Sequence, residues 1–395
     1  MRRLLTIILL VCSLSASPPP CLSTNNRFCG AWVATVANID WPRPNTVGNA
    51  AQQETDLVNL IDSLSALGIN ALVFQVRPTA DALYQSSLEP VSHWLTGHQT
   101  LGDRQQATGD WQQATGDRRQ ALDTFDPLAV ALREAHKRQM EVHAWLNPFR
   151  VNSVSMTKDV LCPDHVFYRH PEWFWKYGEQ YYFDPGLQET RDWICAVVKD
   201  IITHYEVDAI HMDDYFYPYP IAGQTLPDQQ TFLTHARGFD NIEDWRRDNV
   251  NLTIEQISAT IRSTRPQVQF GISPFGINAT NYNSLYADIL LWAEKGWIDY
   301  VIPQLYWSID PNTPNTDYAT LAAWWAKQLE PYKTVLYTGH AVYRMKSGKA
   351  NNPWQLGDEL IRQRLINKSL PKISGECYYS AKHIFNYPNV LLIQP

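Results

Sequence analysis

The stretch VDAIHMDDYFYPYP, residues 207–220, starts as a buried β-strand and ends in two adjacent carboxylates and a run of aromatic rings. Upstream of it, Trp193, Ile194, Val197, Val198, Ile201, Ile202 and Tyr205 recur at helical spacing and form one apolar stripe. A helix that packs by one face and feeds a strand apolar on both faces is the repeating unit of a parallel sheet with crossover connections. What fold results depends on how often the unit recurs.

It recurs eight times. Strand-like runs stand at FCGAWVATV (28–36), ALVFQVRP (71–78), EVHAWLNPF (141–149), DAIHMDDYF (208–216), QFGISPFG (269–276), YVIPQLYW (300–307), TVLYTGHA (334–341) and GECYYSAK (375–382). Helix-period segments separate them. Before the second run, Leu57, Leu60, Ile61 and Leu64 make an apolar stripe, and Gly68 stands at the expected C-terminal cap. Eight strands alternating with helices predict an α/β fold of the (β/α)8 TIM-barrel type, one large domain over residues 24–395. The other arrangement is an open doubly wound sheet, but no glycine-rich phosphate loop follows the first run. An extended loop follows the second strand. Within its polar segment, 98–122, QQATGDW (105–111) is followed directly by QQATGDR (112–118), a tandem duplication whose composition predicts a solvated loop. Few residues remain after the eighth run, so a full final helix barely fits.

The chain begins MRRLLTIILLVCSLSAS, with two arginines before a short apolar run and then small residues, the layout of a signal peptide over residues 1–23. Export to the periplasm or cell surface is expected. That run is too short to span a bilayer, and no later stretch reaches the roughly 20 apolar residues that would be needed, so no stable membrane insertion is expected. Lipid attachment at Cys21 is disfavoured because Pro18, Pro19 and Pro20 precede it in place of small residues. The net charge of −7, with lysine and arginine scattered, gives no electrostatic footprint for nucleic acid. Cys29, Cys162, Cys195 and Cys377 form no CxxC pair and no zinc-like spacing, so neither disulfides nor a metal is expected to hold the fold. The chain also carries 15 Trp and 20 Tyr, rings suited to the apolar faces of sugars, although most are expected in the core.

In a barrel of this type the active site collects at the C-terminal strand ends. Those ends supply Trp32, with Asp40 and Trp41 just beyond; Arg77 and Asp81; His143, Trp145, Asn147 and Arg150; His211, Asp213, Asp214 and Tyr215; Ser273 and Phe275; Gln304, Tyr306 and Trp307; Tyr337 and His340; Tyr379 and Lys382. Planar faces, forked donors and carboxylates together suit a polysaccharide partner, and the pattern calls for no cofactor. Because side chains alternate along a strand, His211 and Asp213 share one face and Met212 and Asp214 the other. Asp213 is then expected in the cleft, with Asp214 turned toward the helices unless a bulge brings both inside. Two carboxyls this close oppose each other's ionisation, so one pKa should rise toward that of a general acid. Glycosidases ordinarily place a second carboxylate across the bond being broken. None is evident at the ends of strands five to eight. Asp40, Asp81, an inverting water and a substrate N-acetyl group remain as candidates for the missing function.

Several of these stretches resemble the glycosyl-hydrolase-like family 10 proteins of bacteria: RFCGAWVATVANIDWP (27–42), VFQVRPTADALY (73–84), EAHKRQMEVHAWLNPFR (134–150), VDAIHMDDYFYPYP (207–220), FGISPFGI (270–277) and DYVIPQLYW (299–307). The resemblance covers nearly the whole chain after the leader. It implies an exported glycoside hydrolase on a TIM barrel, acting in characterised members on peptidoglycan glycan stripped of its stem peptides. It also implies that Asp213 and Asp214 are central. The duplicated loop and the short C-terminal segment depart from the family pattern.

The first reading is therefore a hydrolase of β-linked, N-acetylhexosamine-containing glycan. In it Asp213 is the general acid and Asp214 tunes it or orients the acetamido group. Arg77, His143, Asn147, Gln304 and Tyr306 hold the sugar, with Trp32, Asp81, Trp145, His211, Tyr215 and Trp307 completing the binding set. Two other readings stay open: a non-catalytic cell-wall glycan-binding protein, and a metal-dependent barrel hydrolase using His143, His211, His340 and Asp213.

Overall fold

The computed structural model describes residues 27–97, 99, 125–153, 161–309, 316–346, 354 and 358–387. The expected signal peptide with Cys21 and the repeat loop 98–122, apart from Gln99, lie outside the described residues. Ten strands run in chain order: β1 Phe28–Val33, β2 Ala71–Arg77, β3 Glu141–Leu146, β4 Phe174–Tyr177, β5 Gln180–Phe183, β6 Ala209–Met212, β7 Gln269–Ile272, β8 Tyr300–Val301, β9 Val335–Ala341 and β10 Ile373–Tyr379. Eight of them close into an all-parallel barrel in the order β1-β10-β9-β8-β7-β6-β3-β2. Every one of the eight sequence runs overlaps one barrel strand, so the (β/α)8 architecture is as expected.

Helices wrap the barrel because each has one apolar face. Helix Gln188–His204 buries Ile194, Val197, Val198, Ile201 and Ile202, and helix Ile242–Thr264 buries Trp245, Val250, Ile254, Ile257 and Ile261. Helix Ala50–Ala66 starts at Asn49, whose side chain accepts from the Gln52 amide. Two residues past its end, Gly68 takes φ 83°, the left-handed conformation that ends a helix without a Cβ clash.

The barrel interior is filled by rings and by the glycines that make room for them. Phe28 stacks on Tyr337 with ring centroids 4.0 Å apart. Tyr300 crosses the axis against Gly271, where an added Cβ would fall 1.9 Å from the Tyr300 ring. The phenol is then pinned by two histidines: Tyr300 OH lies 2.8 Å from His143 Nδ1 and 3.1 Å from His211 Nδ1. The interior is a packed core, and the cleft opens above it.

Three features differ from the sequence pattern. β6 stops at Met212, so Asp213 and Asp214 lie past the strand and are released from its alternation. β8 has only two residues, since Pro303 lacks the N–H a ladder needs, and Gln304 rejoins the sheet through isolated bridges to Phe275 and Gly339. β4 and β5 form an antiparallel hairpin outside the barrel, turning at Gly178 with φ 58°. The final described helix, Ala381–Ile384, is a single short turn.

Candidate active site

Asp213 and Asp214 both sit at the barrel mouth, 5% and 3% exposed, and lean to opposite sides. Asp213 leans toward β3. Its Oδ2 accepts from Asn147 Nδ2 at 2.6 Å and from Trp145 Nε1 at 3.1 Å, and its Oδ1 accepts from the Tyr215 amide at 3.1 Å. Asp214 leans the other way. Its Oδ1 accepts from Gln304 Nε2 at 3.1 Å, and its Oδ2 accepts from the Tyr219 hydroxyl. The alternation expected of a continuous strand would have sent Asp214 to the helix layer. Because the strand ends first, both carboxyls stay at the barrel mouth, each with its own polar partners.

Burial raises the pKa of both, and what surrounds each decides how far. Asp213 is opposed by the positive charge of Arg150 and by its three donors, which favour the ionised form. Asp214 is pushed up to about 7, by burial first and then by the charge of Asp213. Asp214 is thus prepared to hold a proton near neutrality, as acid catalysis on a glycoside requires, while Asp213, also raised by burial, has donors and a cation that favour its charged form.

The donors to Asp213 are themselves fixed from below. Gln75 Oε1 accepts from the backbone amides of Thr35 and Val36 at 2.9 and 3.0 Å, and its Nε2 donates to Asn147 Oδ1 at 2.7 Å. That leaves the Asn147 amide nitrogen aimed at Asp213. On the other flank, Gln304 Nε2 also donates to the Ser273 carbonyl oxygen, which holds it toward Asp214. Aromatic rings line the walls. Tyr215, Tyr219, Phe275 and Trp307 follow one another edge to face at 5.5, 6.1 and 5.4 Å, and Tyr306 and Tyr379 approach at 6.0 Å.

Comparison with known proteins settles what this constellation belongs to. Residues 27–356 match the family described as Glycosyl hydrolase-like 10. The chain is a member of that family. It is 38% identical to glycosyl hydrolase YngK of Bacillus subtilis, covering 92% of this chain and 70% of the relative. It is 32% identical to glycosyl hydrolase DigH of Escherichia coli K12, covering 96% and 92%. Among solved structures, the PgaB (BpsB) glycoside hydrolase domain from Bordetella bronchiseptica aligns with a TM-score of 0.51 at 15% identity, over 92% of this chain and 96% of that one. Alpha-L-fucosidase isoenzyme 2 from Paenibacillus thiaminolyticus also aligns at 0.51, with 12% identity over 93% and 48%. The structural likenesses show the fold alone. The Glycosyl hydrolase-like 10 chain is a glycoside hydrolase with a carbohydrate substrate.

Of the residues selected in the sequence, Trp145, Asn147, Asp213, Asp214, Tyr215 and Gln304 are brought together, with Tyr306 and Trp307 beside them. Trp32 forms the floor, its Nε1 donating to His211 Nε2 at 3.3 Å. Four others take different places in this family member. Arg77 is fully buried and pairs bidentately with Glu89 at 2.7 and 2.6 Å, so it clamps the segment after β2 instead of meeting sugar. Asp81 is fully buried and accepts from Thr79, the His93 amide and Gln99. His143 lies two residues inside the N-terminal end of β3, where its Nε2 meets Glu141 at 3.0 Å. His211 lies mid-strand beneath Trp32.

The orientation of this interior chain follows from its ends. A tryptophan N–H only donates, so His211 Nε2 accepts, its Nδ1–H donates to Tyr300, Tyr300 donates to His143 Nδ1, and His143 Nε2–H donates to Glu141. Burial keeps the His211 pKa well below its usual value. His340 faces the helix layer, between Thr338 and Gln363. Of the histidines of the metal reading, His143 and His211 are tied to one another through the Tyr300 hydroxyl and His340 stands in another hydrogen-bond set, and among the described residues no three His, Cys, Asp or Glu side chains gather where a metal could be held. Asp40 is likewise committed, accepting from the Ala34 amide, Ser380 and the Lys382 amide.

Sequence reasoning passed over Gln75 and Tyr219, and placed Tyr379 at a strand end without giving it a role. Tyr219 had a local signal, because it lies in the same YFYPYP run as the acid pair. Gln75 had a subtler one, a polar residue inside an otherwise apolar strand. Tyr379 stood at the end of the eighth run, and only the closure of β10 on β1 brings it within 6.2 Å of the Trp32 ring.

Proposed function

We propose that this glycoside hydrolase cleaves β-linked, N-acetylhexosamine-containing glycan, and that its substrate is peptidoglycan strands freed of their stem peptides. The observation that carries the mechanism is the split environment of the acid pair. The roles expected from strand alternation are exchanged: Asp214, protonated near neutrality, is the general acid, and Asp213 is the ionised partner. Asp214 gives its proton to the glycosidic oxygen as the C1–O bond breaks. The carbonyl oxygen of the sugar's own acetamido group closes on C1, while Asp213 accepts the acetamido N–H and stabilises the positive charge of the resulting oxazolinium ring. The Asp214 carboxylate then takes a proton from water as that water opens the ring at C1, and the anomeric configuration is retained.

Support for substrate assistance comes from the other carboxylates around the barrel mouth. Asp40 and Asp81 are consumed by structural hydrogen bonds, Glu89 by Arg77, and Glu359 by the Ile309 amide and Gln363. Export, inferred from the first 23 residues, would place the enzyme where such glycan is found.

Zymography on intact and amidase-treated peptidoglycan, each with and without chelator, tests the reading. Clearing of the amidase-treated gel alone, insensitive to chelator, is expected. Binding without clearing would favour a glycan-binding protein, and chelator-sensitive clearing a metal-dependent hydrolase.

A further inference from the structure

Arg150 is a charged side chain whose terminal nitrogens make no hydrogen bond to the described residues. It is 9% exposed, and it follows β3 on the Asp213 side of the cleft. Its backbone is held in an antiparallel bridge to Tyr182. Its Nε donates to the Pro78 carbonyl oxygen at 2.9 Å, and its guanidinium carbon sits 5.2 Å from the centre of the Tyr215 ring. These contacts fix the guanidinium plane. Among the described residues, the two Nη groups make no hydrogen bond and the side chain enters no ion pair within 4.0 Å.

A guanidinium held by its Nε and by an aromatic face, with both Nη groups free of protein partners among the described residues, keeps those donors for a ligand. Fully buried Arg77, by contrast, has Glu89 and two carbonyl oxygens, and half-buried Arg246 has Asp228 and the Tyr286 hydroxyl. Arg150 has an immobilised fork, an aromatic ring beside it and open Nη positions next to the acid pair. A planar fork whose Nη–Nη edge is free matches a carboxylate bidentately.

We propose that Arg150 reads a carboxylate carried by the glycan, and that this is the lactyl carboxylate uncovered when a stem peptide is removed. The inference rests on the peptidoglycan reading given above and adds the residue that tells stripped strands from intact ones. In an intact strand the lactyl group is an amide, which offers the fork one oxygen and no charge. In a stripped strand it is an anion with two. Release of the stem peptide by amide-bond hydrolysis is therefore the reaction that must precede this one.

The test uses the full-length enzyme and three defined oligosaccharides of equal length: stripped glycan with free lactyl carboxylates, the same glycan with each carboxylate converted to its methylamide, and an N-acetylglucosamine oligomer without lactyl groups. The wild type is expected to hydrolyse the free-carboxylate glycan with a kcat/KM about tenfold to a hundredfold above the methylamide, the usual scale for a charge-assisted hydrogen-bonded pair. Arg150→Gln should slow both substrates, because its charge also favours ionised Asp213, but it should slow the free carboxylate more, so that the ratio of the two kcat/KM values falls toward one. Arg150→Lys should keep part of the preference. Equal wild-type rates on free and amidated glycan would overturn the inference, as would an Arg150→Gln loss of the same size on both, which would assign Arg150 to the electrostatics of Asp213 alone. Failure on all three oligosaccharides would instead overturn the glycan reading on which the inference stands.

Discussion

Asp213 and Asp214 differ by one position in the chain, yet three donors and Arg150 favour the charge of the first while burial and that same charge disfavour ionisation of the second. The kinetic consequence can be separated residue by residue. Asp214→Asn should lower turnover of an unactivated glycan by roughly two or more orders of magnitude, the scale of a lost general acid. An aryl glycoside whose leaving group needs no proton should recover most of that loss. Asp213→Asn should be slow on both substrates, because its role is at the acetamido group. Equal rescue of the two variants would remove the assignment.

The same shift has a thermodynamic sign. The folded pKa of Asp214, about 7, lies above its ordinary value near 3.8. The native protein therefore holds more protons than the unfolded chain across that interval, and this contribution to stability is full below the lower value and lost as pH rises through about 7. In Asp214→Asn the loss is absent. The melting temperature of the variant relative to wild type should consequently improve from pH 5 to pH 9, and a constant difference across that range would show that Asp214 titrates normally. Wild-type kcat/KM should fall over the upper part of the same range, as the acid loses its proton.

At the scale of elements, the barrel strands were legible because each is an apolar run bounded by turns, and the acid pair because charge interrupts one such run. What the sequence hid was where each strand stops. Continuing β6 through residue 216 makes alternation the rule for Asp213 and Asp214, whereas its end at Met212 puts both in the mouth. His143 and His211 misled for a related reason, since a polar residue within a strand reads as a site residue until its height in the barrel is known. The β4–β5 hairpin escaped because attention followed the eightfold period, although FWKYGEQYYF carries aromatic residues around a glycine turn. The hairpin supports the site indirectly: the Tyr177 hydroxyl accepts from the Ile221 amide, bracing the loop that carries Tyr219. Element packing also gives a test at Gly271. Since Tyr300 is held by two histidines, it cannot yield to a Cβ placed 1.9 Å from its ring. Gly271→Ala should cost about 1–3 kcal/mol in denaturant unfolding, the range for overpacked cores. A variant as stable as wild type would mean that the ring has another place to go.

Across the described residues, eight strand ends converge on one mouth, and β6 delivers the adjacent carboxylate pair there. Asp40 ties the segment after β1 to the turn after β10, Asp81 and Glu89 organise the segment after β2, and Glu359 anchors the segment after β8 through the Ile309 amide. An enzyme that held a second catalytic carboxylate about 5 Å away would form a covalent intermediate, and one with a partner at about 6.5–9.5 Å would invert. Among the described residues Asp40, Asp81, Glu89 and Glu359 are engaged in structural hydrogen bonds, and the proposal therefore takes the substrate's acetamido group as the nucleophile. Retention is therefore the expected outcome, seen by proton NMR as a first-formed product in the β configuration that only later mutarotates. Replacing the acetamido group at the cleaved sugar with a hydroxyl should abolish turnover, because the reacting oxygen would be missing, while leaving the Asp214 proton and the Arg150 fork untouched. An inverted first product, or undiminished cleavage of the hydroxyl analogue, would show that a carboxylate or water does the work assigned here to the substrate.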